Sequence, residues 1–187
     1  SGVVRNLLRI AGSARSRGLD FEIWPLRPQG EFLAEAKDIG PVRPILPAPI
    51  DRQRDIDSLI HHSALSRTLE KRAPALVFSA GNQMHWHLAK AMQKIPTGHR
   101  PRAVARASNA VVSTGKTNAL LRAAIRPQEF FQYSAMDHIV AVSDELHGLL
   151  VDRLLIPRER VSVIPNGIDV DRIAGDGAGC RTNRDSD

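Results

Sequence analysis

The stretch AVVSTGKT, residues 110–117, approaches the pattern of a phosphate-binding loop. Such a loop follows a strand and opens a helix, its backbone amides surround the phosphates, and its lysine reaches the terminal ones. Here Ala110 stands where the first glycine is needed, and Val111 and Val112 put stiff β-branched side chains close to where phosphates would lie. A nucleotide triphosphatase with Lys116 on phosphate is therefore an alternative, and the simpler interpretation is a basic surface loop.

Histidines are a second set of residues able to do chemistry. His85 and His87 are two residues apart in MHWHL, a spacing that puts two ligands on one face of a strand but on different sides of a helix. No cysteine or carboxylate cluster lies nearby in the sequence, whereas a zinc site usually needs three or four protein ligands. We therefore expect no metal site, and we interpret both as partly exposed histidines at the start of a helix.

Two predicted helix starts differ in what they offer an anion. Ser143 is a good N-cap, and Asp144 and Glu145 after it already complement the helix dipole, which gives all three a sufficient structural role. Gly2 precedes a helix start that has no such carboxylates. Its backbone amide would suit a phosphate or a sugar hydroxyl.

Composition limits the domain count and the partners. The 187 residues, 42% hydrophobic and 25% charged, suffice for one core and one domain. A net charge of +6 and a pI near 10.2 favour polyanions such as nucleic acid, anionic lipid or a phosphorylated substrate. Because aromatic residues make up only 4%, no platform for stacking single strands is present, and we expect no nucleic-acid partner.

The location is indicated only by what the sequence lacks. Cys180 is the single cysteine, so no internal disulfide can form, which suits a reducing cytoplasm. No apolar run approaches the ~20 residues that span a bilayer, and no secretory signal pattern is present. We expect a cytoplasmic protein.

Helical and extended patterns alternate along the chain. Apolar residues at three- and four-residue steps predict a helix over residues 3–17, ended by Gly18. Further helices are predicted over residues 56–69, from about residue 86, over residues 118–126 and over residues 144–154. The predicted strands are FEIW, PALVFSA, RAVARA, HIVAVS and RVSVIP. This alternation predicts an α/β fold with a doubly wound parallel sheet.

Ligands of such a sheet lie outside the carboxyl ends of its strands. The segments to inspect are therefore Gly2 and residues 79–87, 106–109, 143–145 and 165–169. An opening helix in this architecture should follow a strand, and none precedes Gly2. We expect the chain to begin after the first strand.

The two ends of the chain resemble a known family. IVAVSDELHGLLVDRLLIPRERVSVIPNGIDVDRI is similar to the end of the N-terminal domain in family 4 glycosyltransferases of the GT-B fold. SGVVRNLLRIAGSARSRGLDFEIWPL resembles the first loop and helix of that family, with Ser1 in place of the first of two glycines and Leu19-Asp20 in place of the usual histidine and small or acidic residue. RASN, residues 106–109, resembles the segment after a central strand. The resemblance covers about residues 1–173.

The resemblance implies an enzyme that transfers a hexosyl unit, with retention, from a nucleotide-diphosphate sugar to a glycan or lipid-linked acceptor. No metal or other cofactor is required. Residues 1–170 would form the acceptor-side Rossmann-like domain, one half of a GT-B fold, and residues 171–187 a disordered tail or the start of an interdomain linker. Because the second domain, which binds most of the donor, is missing from this sequence, we expect the chain alone to be inactive.

The resemblance also implies site residues. Gly2 would lie near the diphosphate, Ser143 would cap a helix at the cleft, and the acceptor would meet Arg106, Ser108 and Asn109. Asn82 and His85, which follow another strand, are expected in the same acceptor-binding set. Asn166, Gly167 and Asp169 would form the interdomain hinge.

The expected partners are a nucleotide sugar and a saccharide or lipid-linked acceptor, as in polysaccharide biosynthesis. The basic charge suggests a peripheral contact with the inner, anionic face of a membrane. Besides the triphosphatase, one more alternative stays open: a non-catalytic remnant that binds a glycan or an anionic membrane.

Overall fold

The computed structural model of the protein describes residues 2–46, 54–108 and 119–167. Predictions for Asn109, for residues 110–117 and for Asp169 and residues 171–187 lie outside these ranges. The described elements are α1 (Gly2–Ser16), α2 (Leu33–Ile39), α3 (Arg54–Arg72), β1 (Leu76–Ser79), α4 (Asn82–Gln93), β2 (Arg102–Ala107), α5 (Ala119–Ser134), β3 (His138–Ala141), α6 (Asp144–Gly148) and β4 (Val161–Val163).

The strands form one parallel four-stranded sheet in the order β1-β2-β3-β4. Its register pairs Ala105 with Ser79 on one side and with Ile139 on the other. The predicted α/β, Rossmann-like fold is confirmed. On the residues described, β1 pairs with β2 alone, so its other edge has no strand beside it.

The side chains on the two faces of the sheet are buried to different extents. Ala103, Ala105, Ala107, Ile139 and Ala141 have no exposed surface. Small alanines let a helix backbone approach closely, and α4 contacts both β1 and β2. The alternating residues of these strands point to the opposite face, where Val104 and Val140 are only partly buried and Arg106 lies among them in register with Val140.

The predicted strand FEIW is wrong in extent. The structure has a single parallel bridge there, between Ile23 and Val42, continued by hydrogen bonds from Ile45 to Pro25 and from Leu46 to Leu26. Prolines interrupt both segments, and a proline cannot donate to a ladder. A regular strand therefore does not form.

Helix α1 ends as its sequence predicts. Gly18 has a φ of 69°, its amide donates to the Arg15 carbonyl at 2.9 Å, and the Leu19 amide donates to Ala14 at 3.0 Å. Only glycine adopts this left-handed conformation without steric cost.

The bounds of three helices differ from the prediction, and one helix is new. The helix predicted over residues 144–154 is α-helical only in α6 and continues as a π-helix over Leu149–Arg153. α4 begins at Asn82, about four residues before the predicted start, and α5 continues through Pro127 to Ser134. Tyr133, near the end of α5, is fully buried in the core, and this burial favours the helix beyond the proline. The short α2 has no counterpart in the prediction. Within the described ranges, no helix combines the length and the apolar composition that a membrane crossing requires.

Candidate functional site

His85 joins the ends of β1 and β2. It lies one turn into α4, which begins because Gly81 is extended and its carbonyl accepts from the amides of Met84 and His85. His85 Nδ1 lies 2.7 Å from Ser79 Oγ and Nε2 lies 3.2 Å from the Arg106 carbonyl oxygen. Since a carbonyl only accepts, Nε2 donates to it and Nδ1 accepts from the serine hydroxyl.

The imidazole of His85 is neutral and inaccessible. It has no exposed surface, and its ring packs against Tyr133 with 5.5 Å between centroids. Burial lowers the pKa of His85 to about 4, because no charged partner compensates the lost hydration. The expectation of a partly exposed histidine at this position is wrong, and a ligand has no surface of His85 to touch.

Arg106 is the buried cation at the carboxyl end of β2. Its side chain is 5% exposed, Nη2 donates to Asn166 Oδ1, and Nη1 has no hydrogen-bond partner among the described residues. No carboxylate in that part of the chain pairs with it. Burial lowers the pKa of Arg106, yet a guanidinium stays charged in a protein at neutral pH.

Ser108 lies two residues beyond Arg106, just after β2. The residue is half-buried, and its hydroxyl oxygen is buried without a partner in the described ranges. A buried hydroxyl without a hydrogen bond is costly, so this atom is available to a ligand that reaches it.

The turn after β4 lies beside Arg106 and beside α1. Asn166 and Gly167 are exposed. Besides the contact between Asn166 and Arg106, Arg9 Nη1 of α1 donates to the Gly167 carbonyl at 2.9 Å. The predicted hinge residues Asn166 and Gly167 therefore contact both the predicted acceptor residue Arg106 and the first helix.

Gly2 is the first residue of α1 and is exposed. A Cβ placed on Gly81 would lie 3.8 Å from Val3 Cγ1, so the start of α1 adjoins the loop between β1 and α4. No acidic residue occupies the first turn of α1. The helix start at Gly2 thus faces the same edge of the sheet as His85.

Ser143 caps α6, as its sequence predicts. Its hydroxyl accepts from the Leu146 amide at 3.2 Å, and Asp144 and Glu145 lie in the first turn. Asn82 is the first residue of α4. The site residues that the described structure brings into direct contact are His85, Arg106 and Asn166, with Ser79 added.

Other polar groups lie outside this edge and have no predicted role. Glu129 and Tyr133 lie four residues apart on α5. Glu129 Oε2 and the Tyr133 hydroxyl are buried and have no hydrogen-bond partner in the described part of the chain. Burial raises the pKa of Glu129 to about 7. The four-residue spacing predicts that the two side chains are neighbours on a helix. Their burial depends on tertiary packing, so the sequence pattern does not predict it.

Three histidines meet between α3 and α4. The ring centroid of His87 lies 5.3 Å from that of His61 and 5.0 Å from that of His62. Burial lowers the pKa of His62 to about 4, and the nearby charges of His87 and Lys94 make smaller contributions in the same direction. His85 and His87 point to different neighbours, as expected on a helix, and no metal-binding group of three or more ligands exists among the described residues.

Comparison with known proteins gives one family. The family model described as Glycosyltransferase Family 4 matches residues 1–172 of the chain. A search of curated proteins finds no match.

Proposed function

The chain belongs to glycosyltransferase family 4, and we propose that its residues 1–170 form the acceptor-binding half of a retaining enzyme of the GT-B fold. The enzyme transfers a hexosyl unit from a nucleotide-diphosphate sugar to a hydroxyl group of a glycan or a lipid-linked acceptor. The observation that carries this proposal is the family match over residues 1–172. The parallel sheet supports it, because the proposed site residues follow its strands at the carboxyl edge.

Catalysis in this scheme consists of positioning and of stabilising the departing diphosphate. The exposed start of α1 at Gly2 presents backbone amides and the positive end of the helix dipole to the diphosphate. No metal or other cofactor takes part in the proposed reaction.

Arg106 and Ser108 are the proposed acceptor contacts, together with Asn82 and Asn109. Arg106 and Ser108 each keep a buried polar atom without a partner in the described chain. His85 takes a positioning role instead, because its ring is fully buried and holds the Arg106 carbonyl.

The hinge comprises Asn166, Gly167 and Asp169. Arg9 and Arg106 both bind the turn at Asn166 and Gly167, so a movement of this turn is transmitted to α1 and to the end of β2. We propose that a second domain binding the donor follows this turn in the complete enzyme.

We place the enzyme in the cytoplasm.

The test compares two proteins: the 187-residue chain and the longest reading frame that contains it. Each is incubated with a panel of nucleotide sugars and with saccharide and lipid-linked acceptors, and the anomeric configuration of the product is read by NMR. We expect transfer with retention by the longer protein and none by the chain alone, because the proposed reaction needs a donor-binding domain that closes over the reacting centre and excludes water.

Three outcomes contradict the proposal. Transfer by the short chain at the rate of the longer one contradicts the half-enzyme. Nucleotide hydrolysis that disappears in Lys116→Ala, without sugar transfer, favours the triphosphatase. Glycan or vesicle binding by both proteins without turnover favours the non-catalytic remnant.

The acceptor role of Arg106 and Asn109 is tested in the longer protein. Arg106→Ala should raise the KM for the acceptor or lower kcat about tenfold or more, because a hydrogen bond from a charged group is worth about 1.5–3 kcal/mol. Asn109→Ala should act in the same direction by a smaller factor, because a neutral hydrogen bond is worth about 0.5–1.5 kcal/mol. Both should leave donor binding nearly unchanged. Arg102→Ala is the matched control, since Arg102 is an exposed arginine on the same strand. Unchanged acceptor kinetics in both variants would remove these residues from the site.

A further inference from the structure

The Arg106 guanidinium is a buried positive charge without a negative partner among the described residues. It is 5% exposed, and no described carboxylate pairs with it. Removing a charge from water is unfavourable unless a counter-charge or several hydrogen bonds compensate. Within the described residues its side-chain hydrogen bond goes to Asn166 Oδ1, a neutral amide oxygen, so no described residue balances the charge.

The unused donors near this charge match an oxyanion. Arg106 Nη1 is buried and makes no hydrogen bond to a described residue, and the same holds for the Ser108 hydroxyl two residues further along. A charged guanidinium N–H is a strong donor to a phosphate or carboxylate oxygen, and a serine hydroxyl can donate to another oxygen of the same group. Both atoms gain partners if such a group binds.

Arg106 Nη1 and Ser108 Oγ are buried, and the residues beside them at this edge of the sheet are exposed or half-buried. Arg106 lies at the end of β2, its contact Asn166 is exposed, and Ser108 is half-buried at the start of the following loop. Residues 109–118, NAVVSTGKTN, contain no aspartate or glutamate, so this loop supplies no carboxylate. The carboxyl edge of a parallel sheet is also where ligands of this fold class bind.

We propose that Arg106 Nη1 and Ser108 Oγ form an oxyanion subsite that binds a phosphate or carboxylate group carried by the acceptor, with Asn166 orienting the guanidinium. This inference rests on the proposed function for the existence of an acceptor, but the subsite itself is defined by these three residues. It narrows the acceptor to an anionic one, such as a phosphorylated or acidic saccharide or a phospholipid-linked one. A neutral acceptor would leave the guanidinium uncompensated.

The test measures anion binding directly, so it needs no turnover. Inorganic phosphate and glycerol phosphate are titrated into the 187-residue chain at constant ionic strength, and the thermal unfolding midpoint is followed, because a ligand of the folded state raises it. We expect both phosphates to raise the midpoint of the wild type. In Arg106→Met the half-saturating concentration should rise about tenfold or more, since a charge-assisted hydrogen bond is lost.

Controls separate binding from a structural role. Arg102→Met removes an exposed arginine from the same strand and should bind phosphate as the wild type does. Without phosphate, Arg106→Met should unfold at a midpoint no lower than the wild type, because it removes an uncompensated buried charge. Arg106→Lys keeps the charge but not the planar donor pair, and should bind with intermediate affinity.

Several results would overturn the subsite. One is equal phosphate binding by the wild type and Arg106→Met. Another is phosphate binding that is absent in the wild type and is observed only in Asp169→Asn, because Asp169 would then be the counter-ion of the guanidinium in the wild-type chain. A third is a response to a nucleoside diphosphate, lost in Arg106→Met, with none to glycerol phosphate, because the anion then belongs to the donor. Phosphate binding in a longer protein that transfers no sugar would instead contradict the proposed function and leave the subsite in place.

Discussion

The buried ring of His85 connects the ends of two neighbouring strands at the site, β1 and β2. His85 uses one ring nitrogen for Ser79 at the end of β1 and the other for the Arg106 carbonyl at the end of β2. In the neutral ring Nε2 donates to the carbonyl and Nδ1 accepts from the serine hydroxyl, whereas in the protonated ring both nitrogens would donate and the Ser79 hydroxyl oxygen would accept. His85 therefore ties the end of β1 to the end of β2.

The free energy of unfolding should fall as pH is lowered from 6.5 towards 4. Burial depresses the folded pKa of His85 to about 4, against 6.5 for the ordinary group, so the unfolded chain binds the proton more tightly. The stabilisation is complete above pH 6.5 and is lost as pH falls through the folded pKa, by about 3 kcal/mol for this shift. His62, with a pKa lowered to about 4, acts in the same direction and window.

Urea unfolding at a series of pH values measures this slope. His85→Gln should be less stable at neutral pH and should show a shallower loss between pH 6.5 and 4. His99→Gln, which changes an exposed histidine in a short turn, should keep the wild-type slope. Equal slopes for the wild type and His85→Gln would show that His85 is not buried as a neutral ring.

At the scale of the element, the helices that border the site begin and end where local chemistry specifies. α1 stops at the left-handed Gly18, and α6 starts at the hydroxyl of Ser143. Both devices satisfy backbone groups that a helix end leaves without partners. They hold the helices in register with the sheet edge that carries the site.

Two glycines, Gly12 inside α1 and Gly18 just after its end, should respond in opposite directions to alanine. Gly18→Ala should lower the free energy of unfolding by about 1 kcal/mol, because a Cβ is strained at a φ of 69°. Gly12→Ala should raise it by about 0.5–1 kcal/mol, since Gly12 is inside the helix and its Cβ would have no other heavy atom within 4 Å. Chemical denaturation of both variants checks this, and a stabilised Gly18→Ala would contradict the assigned cap.

The cap of α6 predicts a further loss. Ser143→Ala should lower the free energy of unfolding by about 1 kcal/mol, because the Leu146 amide loses its acceptor. Ser13→Ala is the matched control: Ser13 is an exposed serine inside α1, where alanine is the better helix former. Equal denaturation midpoints for Ser143→Ala and the wild type would show that water satisfies the amide equally well.

At the scale of the whole molecule, two features matter for binding: the carboxyl edge of the sheet, where the proposed site residues lie, and the net positive charge of the chain. The loops at the carboxyl edge of the sheet carry Arg106, Ser108 and Asn166, and the sequence has a net charge of +6. A net positive charge favours contact with anions in general, so an anionic acceptor and an anionic membrane surface are the expected partners. A peripheral membrane contact stays a prediction of the sequence analysis.

Binding to vesicles that contain anionic lipid should weaken as salt is raised. The attraction acts across a Debye length of ~10 Å at 0.1 M salt, which shrinks to ~3 Å at 1 M. Co-sedimentation with anionic vesicles at increasing salt measures the effect, and vesicles of zwitterionic lipid serve as the control. Binding that does not change with salt, or equal binding to both vesicle types, would contradict an electrostatic contact.

Local patterns predicted several elements with their correct bounds or caps. The strand RAVARA has the same bounds as β2, and the Gly18 and Ser143 caps were predicted with their mechanism. Each depends on residues within a few positions of one another. The strand at FEIW and the end of α5 were predicted less well, because the first depends on pairing with residues 41–46 and the second on core packing around Tyr133.

The sequence by itself determined the α/β alternation, the helix caps and, through its two end motifs, the family. Only the tertiary structure decided which site residues touch. Arg106 and Asn166 are 60 residues apart in the chain, and Arg9 and Gly167 are 158 apart. Parallel strands bring such distant loops to one edge through crossovers, and the burial of His85 and Arg106 arises only when those strands pack. Periodicity describes a residue's own element and contains no information about the neighbours that remove it from water.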